Sequence, residues 1–215
     1  MRIHEVYARL LRPFRRRRMR RFAREFRVSS RLRVVDVGGS PFNWSFAPEV
    51  PSLVLANLRA PGDASSLPDG VRHVIADGTR LAFADDAFDV AFSNSVIEHL
   101  GTPERQAAFA SELRRVARGL WVQTPARSFP FEPHLLAAFV HWLPRRWQRR
   151  LLRRFTLWGV LSRPSPERVE RFLAETRLLG RREMGLLFPD CEIRRERFLG
   201  LTKSYVAVRP AAALR

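Results

Sequence analysis

Apolar residues in this chain come mainly in short runs that end at turn-forming or polar residues, a pattern typical of β-strands. The strands that it predicts are 32–37, 53–56, 71–75, 88–92, 120–124, 192–198 and 203–208. The last two are joined through Gly200 and predict a closing antiparallel pair. Between the fourth and fifth strands, apolar residues at helical spacing predict a helix that begins at Thr102 and ends at Gly119. No internal repeat or linker divides residues 1–215, so we expect a single domain.

Polar residues and glycines stand at the ends of the first four predicted strands. They are Asp36, Gly38, Gly39 and Ser40 at the first, Asn57 at the second, Asp77 and Gly78 at the third, and Ser93 and Asn94 at the fourth. In an open parallel sheet with helical crossovers, ligands bind outside the carboxyl ends of the strands. We therefore expect these residues to face one crevice, where glycine allows a ligand to approach the backbone.

Residues 1–28 predict a basic amphipathic helix that is broken at Pro13. Met19, Phe22 and Phe26 are spaced for one apolar face, while arginines fill the other. The arginine face is either a solvated surface on a helix that covers the core or a contact with an anionic membrane. Nucleic acid is a third and less favoured partner, because no recognised nucleic-acid module accompanies the arginines.

Residues 125–189 form a long segment in which we expect helices and no strands. One helix begins at Ser165 and ends at Gly180, and the stretch 145–158 combines arginines with aromatic residues at helical spacing. An insertion on the ligand side of such a sheet usually shapes a substrate pocket. We therefore expect the substrate to bind against this segment.

Composition adds a strong positive charge. The formal net charge is +18 at pH 7, and nearly all cations are arginines because Lys203 is the only lysine. Such a surface attracts anionic lipid or nucleic acid, although arginine-rich and lysine-poor composition is also typical of GC-rich genomes. Cys191 is the only cysteine, so no internal disulfide can form. Without a visible secretory signal or a run of ~20 apolar residues, we expect a cytoplasmic protein.

The stretch from His73 to Leu100, HVIADGTRLAFADDAFDVAFSNSVIEHL, resembles the class I methyltransferases that depend on S-adenosylmethionine (SAM), in their small-molecule, methyltransferase type 11-like group. The resemblance extends by motif over residues 30–125. It implies a Rossmann-like α/β fold with a mostly parallel sheet, an antiparallel last strand and flanking helices. It also implies SAM as the cofactor.

The resemblance gives roles to the residues at the strand ends. Asp77 occupies the position that holds the adenine amino group, while Asp36, Gly38 and Gly39 match the motif beside the methionine part of SAM. The remaining expected cofactor contacts are Ser40, Asn57, Gly78, Ser93 and Asn94.

Three positions depart from the family pattern. Ser40 and Phe42 stand where further glycines are usual, so the loop must differ in detail. Asn57 stands where most relatives carry an acid that binds both ribose hydroxyls, and an amide can make only neutral hydrogen bonds there. We expect weaker ribose binding as a result.

Methylation of an oxygen normally requires a base that removes a proton. His99 is the first candidate, since the ordinary pKa of histidine is near neutral and the resemblance implies that the exit of the fourth strand lies beside the methyl group. Glu98 and His134 are the alternatives. We expect no metal, because Glu98 and His99 are neighbours that would point about 100 degrees apart on a helix.

We expect methyl transfer to an oxygen of an apolar, lipid-linked or glycan-precursor small molecule. One alternative is a non-catalytic binding or scaffold protein with the same fold, which the departures at Ser40, Phe42 and Asn57 favour. Another is an RNA methyltransferase, which the charge favours, although Ser93-Asn94-Ser95-Val96 stands where amino-group methylation uses an Asn/Asp-Pro-Pro-aromatic motif. If the two basic stretches share a surface, we expect peripheral contact with an anionic membrane at its inner face.

Overall fold

The computed structural model describes residues 3–60, 70–132 and 137–210. The strands in this part are β1 Arg33–Val37, β2 Ser52–Asn57, β3 Val71–Ile75, β4 Phe88–Asn94, β5 Ala117–Pro125, β6 Phe131–Glu132, β7 Ala137–Ala138, β8 Glu192–Phe198 and β9 Leu201–Arg209. The α-helices are α1 Ile3–Glu25, α2 Pro41–Trp44, α3 Pro103–Val116, α4 Arg145–Arg154, α5 Leu157–Ser162, α6 Pro166–Glu175 and α7 Arg181–Leu187. Short 3-10 helices span Ile97–Leu100 and Val140–Trp142.

Seven strands form one mixed sheet in the order β3-β2-β1-β4-β5-β9-β8. Strands β1 to β5 are parallel, while β9 runs antiparallel to β5 and β8 antiparallel to β9. This arrangement confirms the predicted fold class and the closing antiparallel pair. The chain reverses its direction of winding between β1 and β4, and such a reversal opens a crevice at the carboxyl ends of the strands.

Helices cover both faces of the sheet and bury its apolar side chains. On one face, Phe22 of α1 makes edge-on ring contacts with Trp44, Phe92 and Trp121. On the other face, Phe109 and Leu113 of α3 share a core with Met184 of α7. The segment between β7 and α6 has a small core of its own, built around Leu152, Trp158 and Leu173.

Helix α1 continues through Pro13, so the predicted break there is wrong. A proline inside a helix removes one backbone donor and costs ~3 kcal/mol. Burial of Met19, Phe22 and Phe26 on the sheet offsets that cost, because each large apolar side chain contributes about 2 kcal/mol.

Two predicted helix ends are also wrong, and so is the prediction that residues 125–189 contain no strands. Helix α3 ends at Val116, and Gly119 instead lies in β5, paired with Val90, because buried Ala117 leads directly into the strand. Gly180 does not end α6 but caps the start of α7, where its N–H donates to Glu183 Oε2 at 2.7 Å. Residues 125–189 also contain the small antiparallel pair β6 and β7.

The described residues contain no helix that is long and apolar enough to cross a membrane.

Candidate active site

A cavity of about 590 Å³ lies at the carboxyl ends of β1, β2 and β3. Six of the residues predicted from the sequence line it together: Gly38, Gly39, Ser40, Asn57, Asp77 and Gly78. The loop after β4 closes one side through Val96, and α3 closes another through Arg105 and Phe109. The predicted residues that line it come from the ends of β1, β2 and β3, whereas Ser93 and Asn94 at the end of β4 do not line it.

Gly38 and Gly39 form a loop after β1, which we call the glycine loop. Asp36 lies beneath this loop and is fully buried. Trp44 Nε1 donates to its Oδ2 at 2.8 Å, while its Oδ1 has no hydrogen-bond partner among the described residues. Burial raises the pKa of Asp36 to about 7, against the opposing effect of the Trp44 hydrogen bond. The cavity thus has beneath its loop a carboxyl group with one unused acceptor.

The glycine loop has no room for side chains. A Cβ on Gly39 would lie 1.8 Å from Asp36 Oδ2, and a Cβ on Gly38 would lie 2.5 Å from Val96 Cγ2. Gly38 also has a φ of 77°, a left-handed conformation that glycine adopts without strain. These contacts give a physical reason for glycine at both positions.

Asn57 ties the ends of three strands together. Its Nδ2 donates to the Gly39 carbonyl at 3.1 Å and lies 3.3 Å from His73 Nε2 on β3. An aspartate could not make the first contact, because an ionised carboxylate has no donor. Asn57 therefore braces the glycine loop from within the sheet.

Asp77 is held by its own loop and remains partly exposed. Its Oδ1 accepts from Thr79 N at 2.9 Å and from Thr79 Oγ1 at 2.8 Å, and Arg105 Nη2 lies 3.5 Å from its Oδ2. The backbone hydrogen bond from Thr79 is the main reason that the pKa of Asp77 is lowered, and Arg105 adds to this effect. Asp77 is therefore an ionised acceptor at the β3 side of the cavity.

Five predicted site residues do not line this cavity: Asp36, Ser93, Asn94, Glu98 and His99. Ser93 is buried and donates to the Val37 carbonyl at 3.0 Å, whereas the Asn94 side chain accepts from Arg18. Glu98 is buried and accepts from Thr124 Oγ1 at 3.0 Å. His99 is exposed on the 3-10 helix that follows β4. His134 lies outside the described residues.

Several lining residues were not predicted from the sequence. Arg105 and Phe109 are spaced one helical turn apart on α3, a pattern that resembles any amphipathic helix. His73 lies inside β3 and carries no motif. Only the packing of α3 and β3 against the strand ends brings them to the cavity.

Among the described residues, no group of three or more His, Cys, Asp or Glu is arranged to hold a metal ion.

Comparison with known families gives one match. The family described as a methyltransferase domain matches residues 48–119, which include β2, β3, β4 and α3. No curated protein matches the chain.

Solved structures share the fold at low sequence identity. The chain is similar to one in the complex between the Haloferax volcanii Trm112 methyltransferase activator and the putative methyltransferase, with 12% identity, a TM-score of 0.59, and 99% of this chain and 96% of that chain covered. It is also similar to the PH0226 protein from Pyrococcus horikoshii, with 18% identity, a TM-score of 0.52, and 97% and 91% covered. A third is a possible exported protein from Bordetella parapertussis, with 15% identity, a TM-score of 0.53, and 92% and 67% covered. At such identities the likeness extends to the fold alone.

Proposed function

We propose that this chain, which carries a methyltransferase domain of the class I, SAM-dependent type, transfers the methyl group of SAM to an oxygen of an apolar, lipid-linked or glycan-precursor acceptor. One observation carries the cofactor part of the proposal. The ends of β1, β2 and β3 present a glycine loop, an amide and a carboxylate to one cavity of about 590 Å³. That volume is within the usual range for small-molecule sites.

The residues present fit SAM. The unused Oδ1 of Asp36 is buried beneath the glycine loop and does not line the cavity, so a small movement of that loop would be needed for it to accept from the ammonium group of the methionine part of SAM. Asp36 and Gly39 would hold the methionine end, Asn57 would hold the ribose, and Asp77 would accept from the adenine amino group. Since Asn57 Nδ2 is already used, its Oδ1 is the atom that remains for a ribose hydroxyl.

SAM supplies a methyl group on a sulfonium, which an acceptor oxygen attacks in line while the carbon–sulfur bond breaks. The protein contributes mainly by holding the two partners at close range, and such positioning supplies a large part of a rate enhancement. A base is needed only when the acceptor must lose a proton. Glu98 is buried against Thr124, so it is less accessible to an acceptor than His99, which is exposed.

Transfer of labelled methyl groups tests the function. Purified protein, tritiated methyl-SAM and a cell extract would be incubated, and the extract would be separated into lipid, small-molecule and RNA fractions. We expect label in the lipid or small-molecule fraction and its loss with the Gly39→Ala protein. Label in RNA would favour an RNA methyltransferase. SAM binding without label in any fraction would favour the non-catalytic alternative.

We also propose that α4 and α5 rest on an anionic membrane. Phe155 is 72% exposed and Val160 is 55% exposed, and Trp147 of α4 is also exposed, with Arg150 over its ring at 5.7 Å. Exposed apolar side chains next to arginines are typical of helices that lie in a membrane interface. Binding to nucleic acid would not require exposed aliphatic residues such as Val160. A membrane contact of this kind would bring a lipid-linked acceptor to the protein.

Only part of the arginine set on α4 is available for lipid. Arg149 forms an ion pair with Glu170 at 2.6 Å, and Arg145 donates to the Leu173 carbonyl. We therefore choose Arg150, Arg153 and Arg154 for substitution by Gln. Each basic residue near an anionic surface contributes ~1 kcal/mol, so the triple variant should lose most of its binding to phosphatidylserine vesicles at low salt.

Co-sedimentation with vesicles of phosphatidylserine and of phosphatidylcholine measures this association. Substitution by Gln of the exposed Arg72, Arg118 and Arg182, which lie outside both basic stretches, provides a control with the same change of net charge. Equal loss in both variants would indicate net charge alone, and equal binding of the wild-type protein to both lipids would contradict the proposal.

A further inference from the structure

A second and smaller cavity lies at the carboxyl ends of β4 and β5, beneath α1. It has a volume of about 40 Å³, and its lining includes Arg15, Arg18, Asn94, Gln123 and Lys203. Asn94 and Ser95 line this cavity, while the next residue, Val96, lines the cofactor cavity. One loop therefore separates the two cavities, at the point where the winding of the sheet reverses.

The second cavity contains more positive than negative charge. Arg18 is only 5% exposed, and its Nε donates to Glu196 Oε1 at 3.0 Å, which neutralises this guanidinium. Arg18 also donates to Asn94. The partners of Arg15 among the described residues are neutral: its Nη1 donates to Asn43 Oδ1 at 3.1 Å, and its guanidinium lies over the Phe42 ring, 5.5 Å from the centroid. Because the charges of Arg18 and Glu196 cancel each other, the charge of Arg15 remains uncompensated.

Lys203 adds a second uncompensated cation. Its Nζ lies 3.5 Å from the centroid of the Phe14 ring, and within the described ranges its ammonium has neither a hydrogen-bond acceptor nor an ion-pair partner. Burial lowers the pKa of Lys203 to about 8, with Arg18 and Arg15 acting in the same direction and Glu196 against them. A partly buried ammonium without an acceptor is costly, and a bound anion would remove that cost.

The size of the cavity limits what the anion can be. One water molecule needs about 10–15 Å³ of such volume, so the cavity holds roughly three atoms of that size. A carboxylate has three heavy atoms, whereas a phosphate group has five. The charge calls for an anion, and the small volume of about 40 Å³ favours a carboxylate over a phosphate group.

We propose that Lys203 and Arg15 bind a carboxylate of the methyl acceptor in this second cavity. The inference rests on the proposed function and deepens it, because it assigns an acidic group to the acceptor. The carboxylate would be anchored one loop away from the cofactor cavity. An acceptor held in this way could extend its apolar part away from the sheet, toward the helices of residues 145–175.

Because Lys203 is the only lysine, protein made with ¹³C-labelled lysine reports on this cavity alone. The Lys203 ¹³Cε resonance would be followed during titration with acetate and, in parallel, with acetamide, which has the same shape but no charge. Ionic strength is held constant, and S-adenosylhomocysteine (SAH) is either absent or saturating. We expect a saturable shift with acetate, none with acetamide, and a higher pKa of Lys203 when acetate is bound.

Variants separate this site from general charge effects. Arg15→Gln should weaken acetate binding by a factor of about five, the upper end for a partly exposed ion pair. Arg72→Gln makes the same change on exposed β3, at the opposite side of the sheet, and should leave acetate binding unchanged. Calorimetry with Lys203→Met should show no acetate binding, and Lys203→Arg should restore it.

Several results would overturn the inference: no saturable shift with acetate, an equal shift with acetamide, or an equal effect of the Arg15 and Arg72 substitutions. Phosphate that saturates below the acetate concentration would overturn the choice of a carboxylate. Calorimetry of SAH on the same samples distinguishes the two proposals. SAH binding without acetate binding would reject the second cavity and leave the proposed function standing, whereas acetate binding without SAH binding would reject the proposed function.

Discussion

At the scale of single residues, a carboxylate that lines the cavity and one buried beneath its glycine loop have opposite environments. Asp36 is buried with one unused oxygen, and burial raises its pKa to about 7. Asp77 is partly exposed and accepts two hydrogen bonds from Thr79, which lower its pKa. A bound cation or hydrogen-bond donor would therefore stabilise the Asp36 carboxylate, whereas the Asp77 carboxylate is already stabilised by its hydrogen bonds.

The raised pKa of Asp36 predicts that stability falls as pH rises. The folded state keeps the proton up to about pH 7, whereas the unfolded chain releases it near pH 4, so the contribution is lost between those values. Relative to Asp36→Asn, the wild-type free energy of unfolding should fall by about 3 kcal/mol between pH 5 and pH 8. Urea unfolding of both proteins at these pH values measures the difference. Parallel pH profiles would contradict it.

Asp77→Ala should weaken SAH binding by ~1–3 kcal/mol, the range for a hydrogen-bonded partner that is removed. The substitution also removes the acceptor of the Thr79 loop, so Thr79→Val serves as the control because it keeps the Asp77 carboxylate. Calorimetry should show a large loss for the first variant and a small one for the second. Unchanged affinity of a folded Asp77→Ala protein would remove Asp77 from the site.

Most residues that line the cavity of about 590 Å³ from the strand ends could be predicted from the sequence, because a strand end is a local pattern, although Asp36, Ser93 and Asn94 were predicted with them and do not line it. Asp77 and Gly78, for example, directly follow an apolar run. The second cavity could not be predicted in this way. Arg18 and Glu196 are 178 positions apart, and nothing near either residue indicates the other. Only the packing of α1 over the antiparallel strands brings them together.

At the scale of elements, the first turn of α3 contributes both to the stability of the fold and to the lining of the cavity. Thr102 accepts from the Arg105 N–H at 3.3 Å and so caps the turn that carries Arg105 to the cavity. The cap was predicted correctly from Thr102-Pro103, whereas the predicted end at Gly119 was wrong, because buried Ala117 continues into β5 without a turn residue. The start of this helix thus has a local signal and its end depends on the sheet.

Loss of that cap should cost about 1 kcal/mol of stability, as for other threonine caps. Thr102→Ala should therefore lower the free energy of unfolding by this amount and also weaken SAH binding slightly, because the first turn of α3 becomes less ordered. Thr102→Ser keeps the hydroxyl and should retain most of both. Denaturant unfolding and calorimetry provide the measurements, and equal stability of the alanine and serine variants would show that the cap contributes nothing.

At the scale of the whole molecule, the net charge is +18, and three groups of basic residues can be distinguished by their neighbours. Arginines of α1 line an open groove with Phe46 and Pro48, others lie on α4 beside exposed aromatic residues, and a third group surrounds the second cavity. Composition predicts the total charge but not this division. The three groups have different neighbours, so they should respond differently to salt, vesicles and small anions.

The central claim is that the glycine loop above Asp36 binds SAM, and calorimetry with SAH tests it most directly. A Cβ at Gly39 would lie 1.8 Å from Asp36 Oδ2, whereas a Cβ at Gly185 in α7 would meet nothing within 4 Å. We predict that the wild-type protein and Gly185→Ala bind SAH equally and that Gly39→Ala, shown to be folded by circular dichroism, binds at least ~10-fold more weakly, which corresponds to about 1.4 kcal/mol. Wild-type protein that does not bind SAH, or folded Gly39→Ala that binds it normally, would contradict the account.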